Sequence, residues 1–353
     1  MRRCPFSLRL AAACFLSAQP VAAQVEVPEN VRIRFSGRLH AQFNTTSVDA
    51  APSSEFLIRR ARLGAEVDVG RYITGKVEPD FGEGGIDLKD AWVRLTFDPR
   101  FRITAGQFKR PFDLFELTSS SRILVVERAG GIRGVAGCAG PGGVCSFSRL
   151  TERLGFADRD IGILLDGRRG SVAWALSITN GTGANTADEN GNKSFSGRLE
   201  FAMRDGVVLA VNGATHDYVH PTTGTDQYAH AVGVDAELGT YTGGPHLQAG
   251  MVVGENWLNP TSIDAGSTFF AAQTIITHRR NVSKGPVTGL EPLIRLSFGN
   301  PDTDVTADDG WLLTPGVNIH FIGRNRLALN VDYWAPDAGD SEWSFKGQAF
   351  FYF

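Results

Sequence analysis

The stretch "FLIRRARLGAEVDV", residues 56–69, places Arg59, Arg60 and Arg62 within four positions of a run otherwise rich in Leu, Ile, Ala and Val. A guanidinium keeps its charge at any ordinary pH and offers a planar fork of N–H donors. Its chemistry is therefore the two-point binding of carboxylates, phosphates and other oxyanions. Of 35 basic residues only six are Lys, so Arg dominates the positive charge. Lys109 and Arg110 form a second basic pair. They open a long segment, 108–157, and either line a passage or anchor the stem of that segment.

Other chemistries lack their residues. There is no GxSxG motif, and no Ser–His pair stands out on one strand, so a hydrolase has no nucleophile–base constellation. His40, His216, His230, His246, His278 and His320 show no ligand spacing. Asp302, Asp304, Asp308 and Asp309 loosely resemble a calcium loop but lack its Gly and terminal Glu, and read as a solvated loop. No metal and no cofactor are expected. Cys4 and Cys14 fall in the N-terminal leader, whereas Cys138 and Cys145 sit in the Gly- and Pro-rich "GCAGPGGVCS". In an exported protein so close a pair fits a disulfide, with two free thiols as the alternative.

These groups need a scaffold, and the hydropathy pattern supplies one. In "VRIRFSGRLHAQFN" Val31, Ile33, Phe35, Gly37, Leu39, Ala41 and Phe43 share one face; Arg32, Arg34, Ser36, Arg38, His40, Gln42 and Asn44 share the other. Such period-two alternation marks strands, and about sixteen of them follow residue 30, each roughly ten residues long, which suits a tilted membrane crossing. Within 56–69, Leu57, Ala61, Leu63, Ala65, Val67 and Val69 are assigned to lipid, and Arg60, Arg62, Glu66 and Asp68 to water. Arg59 breaks the alternation, and a local bulge would let it reach the watery side too.

Connections alternate in length. "DPRF", "GRRG", "RDG" and "IGRN" follow even-numbered strands; "TSVDAAPSSE", "GTGANTADENGN" and "NPDTDVTADD" follow odd-numbered ones. Tight turns at one end and long loops at the other describe a bacterial outer-membrane barrel. Residues 1–23, with Arg2 and Arg3 before "FSLRLAAACFLSA" and a small-residue cut site after Ala23, read as a signal peptide. Its removal takes the formal charge from −3 to −6, which argues against a nucleic-acid partner. The fold expected for 24–353 is all-β: a 16-stranded antiparallel transmembrane β-barrel with an inward-folded long loop after strand 5. Its outer face would meet membrane lipid and lipopolysaccharide, and the terminal Phe353 resembles the signal read by the barrel-assembly machinery.

"FLIRRARLGAEV", "KVEPDFGEGGIDLKDAWV" and "ITAGQFKRPFDLFELTSSSRILVVER" resemble the phosphate-selective porin O and P family over residues 31–165. The resemblance implies a homotrimer of sixteen-stranded barrels, a pore loop folded inward after strand five, and small anions held by arginines and loop serines. Carried over residue by residue, it assigns Arg38 on strand one, Arg59 and Arg60 on strand two, Ser119 and Ser120 in "LTSSS", and Arg128 in "VER". Where phosphate-specific members have a loop lysine, this chain has Glu116. With so few lysines, the lysine ladder of the family is expected to be lost, and strong phosphate discrimination with it. The function expected is passive uptake of small solutes through an anion-leaning pore. The alternatives are a barrel with a blocked lumen serving as a structural or adhesin protein, and an outer-membrane hydrolase. Pairing of the arginines with wall acids such as Glu66, Asp90 or Glu116 is the competing structural account of the ring.

Overall fold

The computed structural model describes residues 29–49, 52–138, 143–220, 223–260 and 266–353; the expected signal peptide lies outside them. Among the described residues the first strands are β1 (Val31–Thr46), β2 (Ser54–Val69), β3 (Ile73–Asp80), β4 (Asp87–Asp98) and β5 (Phe101–Lys109). Two short helices follow, α1 (Leu114–Leu117) and α2 (Phe147–Arg153). Next come β6 (Arg159–Arg169), β7 (Val172–Thr179), β8 (Ser194–Arg204), β9 (Val207–Val219), β10 (Asp226–Gly239) and β11 (Gly244–Pro260). The last are β12 (Gly266–Lys284), β13 (Val287–Asn300), β14 (Gly310–His320), β15 (Arg326–Pro336) and β16 (Glu342–Tyr352).

Each strand pairs antiparallel with its sequence neighbours, and β1 pairs with β16, so the sheet closes into a sixteen-stranded barrel. Closure leaves no sheet edge with unpaired backbone groups, which is the condition for strands to span hydrocarbon. At the seam Gly37 N–H donates to the Phe353 carbonyl at 2.8 Å, and Phe353 N–H returns the bond at 3.2 Å. The Phe353 ring lies over Gly37, in the space that a side chain at position 37 would enter.

The alternation sorts the two faces. Phe35, Leu63, Val93, Leu176, Val211 and Val232 point out of the barrel and are exposed, whereas His40, Gln42, Arg62, Thr104, Arg198 and Gln348 are buried on the inner face. Aromatic clusters lie at both ends of the outer face. Phe43 packs on Phe56 and Phe345, and Phe298 on Phe270 and Trp311, at the long-loop end; Phe97, Phe101 and Trp174 stack at the short-turn end. Such belts fit the two membrane–water boundaries.

The pairing of β2 with β1 departs from strict alternation at one point. The register runs His40↔Arg60 and then Ala41↔Ile58, so Arg59 is the extra residue of a β-bulge. A bulge inserts one residue and inverts the inward–outward sense of all that precedes it. Leu57, expected on the lipid side, instead lies opposite the buried Gln42 on the inner face, while Phe56 (86% exposed) and Ile58 point outward.

Candidate functional site

Between β5 and β6 the chain spans residues 110–158, and most of its buried apolar side chains cluster with the inner face of the far wall, while Ile123 and Val126 pack separately on Ala328 and Phe350. Phe112, Phe115, Phe147, Leu150, Leu154 and Phe156 meet Ala214, Ala231, Val252, Phe269, Leu312 and Trp334. Phe156 stacks on Phe269 with ring centroids 5.9 Å apart. The wall residues explain the choice of side. On β9–β12 the inner face carries Ala214, Ala229, Val252 and Ala271, small or apolar groups that a segment rich in Phe and Leu can cover.

Polar side chains of the same wall then fix the backbone of this segment. Arg326 donates to the Ile123 carbonyl at 2.5 Å, Asn318 to the Leu124 carbonyl at 2.9 Å, and Asn330 accepts from Val126 N–H at 2.6 Å. Arg295, fully buried on β13, donates to the carbonyls of Glu127 (2.9 Å) and Arg128 (2.7 Å) while pairing with Asp332 (2.7 Å). Lys346 donates to Gly131. Buried charge-assisted bonds of this kind are the stronger class. None of these five wall residues stands out in the sequence. Their one signal is polar side chains at inward positions of β13–β16.

A Cys138–Cys145 disulfide, Cα atoms 4.5 Å apart, closes the tip of the segment and is buried against Gly299 of β13. Asp113 caps α1, accepting Glu116 N–H at 2.7 Å and the Thr151 hydroxyl at 3.0 Å, which joins α1 to α2. Burial pushes the Asp113 carboxyl up to about 7.

A cavity of about 470 Å3 lies between α2, β6, β9 and Trp257 of β11. Along β1–β6 a cavity of about 410 Å3 opens toward the long loops and one of about 310 Å3 toward the short turns. Three residues line both: Arg62, Arg128 and Arg159. Arg62 comes from the wall at β2 and Arg159 from the start of β6; Arg128 comes from the inserted segment. Arg159, unlike the other two, does not stand out in the sequence, because it sits at the end of the long segment without a motif around it.

Each of these cations is held from behind by a carboxylate. Arg62 donates to Asp80 at 2.6 Å and approaches Glu78 at 3.4 Å; Arg159 donates to Asp90 at 2.8 Å. Arg128 donates to the carbonyls of Phe115 (3.0 Å) and Thr118 (2.5 Å) and lies 3.6 Å from Glu116. Among the other expected residues, Arg38 bridges Ser120 Oγ (2.6 Å) and Glu78 (2.8 Å) in the inner cavity. Ser119 is exposed there and bonds to Ser121. Arg59 and Arg60 face the outer cavity and share Glu127. Lys109 pairs with Glu116 at 2.8 Å. Arg110 stands apart from both cavities at the constriction: it is buried, donating to Ser196 at 3.1 Å and to the Gly155 carbonyl, as an anchor of the stem. Glu116 is 2% exposed and its carboxyl is held below the usual carboxylate range: burial would raise it, but Arg128 and Lys109 outweigh that. It organises two cations more than it lines the passage. Glu78, Asp80, Glu83, Glu127 and Asp158 pair with these arginines in addition to the Asp90 and Glu116 expected from the sequence, whereas Glu66, also expected, pairs with Arg34.

The model of the phosphate-selective porin O and P family matches residues 33–238. The chain belongs to this family. Curated proteins provide no sequence match. Among solved structures the porin is similar to the outer-membrane channel DcaP of Acinetobacter baumannii, with a TM-score of 0.59 and 13% identity over 93% of this chain and 99% of that one. It is also similar to OmpT of Vibrio cholerae in its trimer form, with a TM-score of 0.58 and 12% identity over 92% and 100% of the two chains. At these identities the likeness concerns the fold. The porin is thus a bacterial outer-membrane barrel of channel type, and its family and structural neighbours point to a channel rather than an enzyme.

Proposed function

We propose that this porin is a passive, water-filled channel that favours small anions, with its passage set by Arg62, Arg128 and Arg159. The observation that carries the reading is that these three guanidinium groups, and no other described residues, line both cavities. Charge near a narrow, low-dielectric passage acts on a solute far more than the overall charge does. At physiological salt the Debye length is about 8 Å, so remote surface acids are screened from the passage. The carboxylates behind each arginine temper the preference, which supports an anion-leaning pore without strong phosphate capture. The trimer form of Vibrio cholerae OmpT and the family membership support a homotrimer. Phe353 at the seam is the candidate contact for the assembly machinery, and the apolar outer face is the surface for membrane lipid and lipopolysaccharide.

The test is the reversal potential of reconstituted protein under a KCl gradient. The expected sign is that of chloride preference, and Arg159→Ala should lower the anion-to-cation permeability ratio. Cation preference in the wild type would overturn the reading. Absence of current would return the blocked-lumen alternative.

A further inference from the structure

Arg59 and Arg60 form a ready-made anion site. Consecutive residues of a strand normally point to opposite faces. The bulge at Arg59 breaks that rule and brings both guanidinium groups to the same carboxylate. That carboxylate belongs to the protein. Glu127 Oε1 accepts from Arg59 Nε at 2.7 Å, and its Oε2 accepts from Arg59 Nη2 and Arg60 Nη2, each at 3.2 Å. One guanidinium grips both oxygens while a second closes on one of them, which is how a free carboxylate or phosphate would be held. The backbone that delivers Glu127 is pinned on both sides. Val126 N–H is bonded to Asn330, and Arg295 holds the carbonyls of Glu127 and Arg128. The side chain is thus presented across the passage from the far wall to β2. The carboxyl stays ionised well into acid: burial would raise it, but Arg60 and Arg59 hold it at about 2.

We infer that Glu127 is a tethered counter-ion that determines solute specificity: it occupies the Arg59–Arg60 pair in place of a permeating oxyanion, so that the pore passes anions without retaining them. The inference rests on the anion-channel reading above. A group tethered at short range acts at an effective concentration in the millimolar range or higher, so a free oxyanion of similar intrinsic affinity must approach that concentration to displace it. The solutes favoured are small, weakly held anions in high flux. Capture of scarce phosphate requires the pair to be vacant.

The experiment measures block of chloride current by inorganic phosphate in single channels of the full-length wild type, Glu127→Gln and Glu83→Gln. Glu83 is the control because it also faces Arg59, at 3.4 Å, but is exposed and does not reach Arg60. Flux of a neutral sugar into proteoliposomes runs in parallel. In Glu127→Gln, half-block by phosphate is expected at a concentration at least about tenfold lower, as loss of a charge-assisted competitor implies. Sugar flux should be unchanged and Glu83→Gln should resemble the wild type. Adding Arg59→Gln to Glu127→Gln should abolish the gain. Equal block in wild type and Glu127→Gln overturns the inference, and so does an altered sugar flux, which would mean that Glu127 merely holds the segment in place. Cation preference in the wild type would instead defeat the channel reading, whatever Glu127→Gln does.

Discussion

Arg62, Arg128 and Arg159 come from a strand, an inserted segment and a strand start separated by 97 positions at most, and each depends on an acid or carbonyl for its direction. This dependence makes the residues behind them as important as the arginines. Asp113 shows it for the inserted segment. Its carboxyl is buried, caps α1 and bonds to Thr151 of α2. Because burial raises its folded value to about 7, above the ordinary carboxylate value of 3.8, the folded protein binds the proton more tightly than the unfolded chain. The stability it contributes is complete below about pH 4 and is lost as pH rises toward 7. Asp113→Asn keeps the cap acceptor and cannot ionise. The unfolding free energy of this variant minus that of the wild type should therefore increase from pH 4 to 7, at a slope of no more than about 1.4 kcal/mol per pH unit, and level off above. A difference independent of pH would show that Asp113 is not protonated in the folded barrel. Glu116 has the opposite balance, since its cations keep it charged. A lysine there would crowd Lys109 and Arg128 in a buried site, so Glu116→Lys is expected to destabilise the segment and not to create a phosphate site.

At the scale of elements, two devices position the site. The bulge in β2 gives one strand two consecutive inward cations, at the cost of turning Leu57 inward and Phe56 and Ile58 outward. The inserted segment is a wedge whose apolar side covers β9–β15 and whose polar side carries Glu127 and Arg128 to the passage. The Cys138–Cys145 disulfide closes the tip of this wedge, whereas the carbonyls next to Arg128 are held by Arg295. The two fastenings should separate experimentally. Replacing both cysteines by Ser should cost about 2–3 kcal/mol of local stability by loop entropy and increase current noise, with the reversal potential unchanged. A shifted reversal potential would mean that the tip, too, positions the arginines.

The whole barrel is defined by closure of β1 on β16 and by a largely apolar outer face. Such a barrel resists detergent, because every strand is paired on both sides and unfolding must break the ring at once. For the proposed homotrimer, unheated protein should migrate in mild detergent as a species about three times the monomer mass, and heating should convert it to monomer. A single monomer band under all conditions would argue against the trimer. Ion selectivity should survive this test in either case, because all three arginines of the passage come from one chain.

Alternation, parity of loop length and the terminal aromatic strand make the barrel legible in the amino-acid order alone, because a strand with oil on one side and water on the other must repeat every two residues along its whole length. Local rules also place Arg60 and Arg62 inward and mark Arg59 as irregular. Beyond that the sequence is silent. Leu57 falls on the wrong face by alternation because a bulge is a defect in pairing with β1, invisible in β2 alone. Arg159 and Arg295 carry no motif; each matters because the long segment folds back to them from as far as 168 positions away. Glu127 stands beside Arg128 in "VER", yet which arginines it neutralises depends on how that segment crosses the interior. Period and face are short-range properties written into neighbouring residues. The pairing of charges across a barrel is set by packing against a wall formed late in the chain, and only the folded molecule decides it.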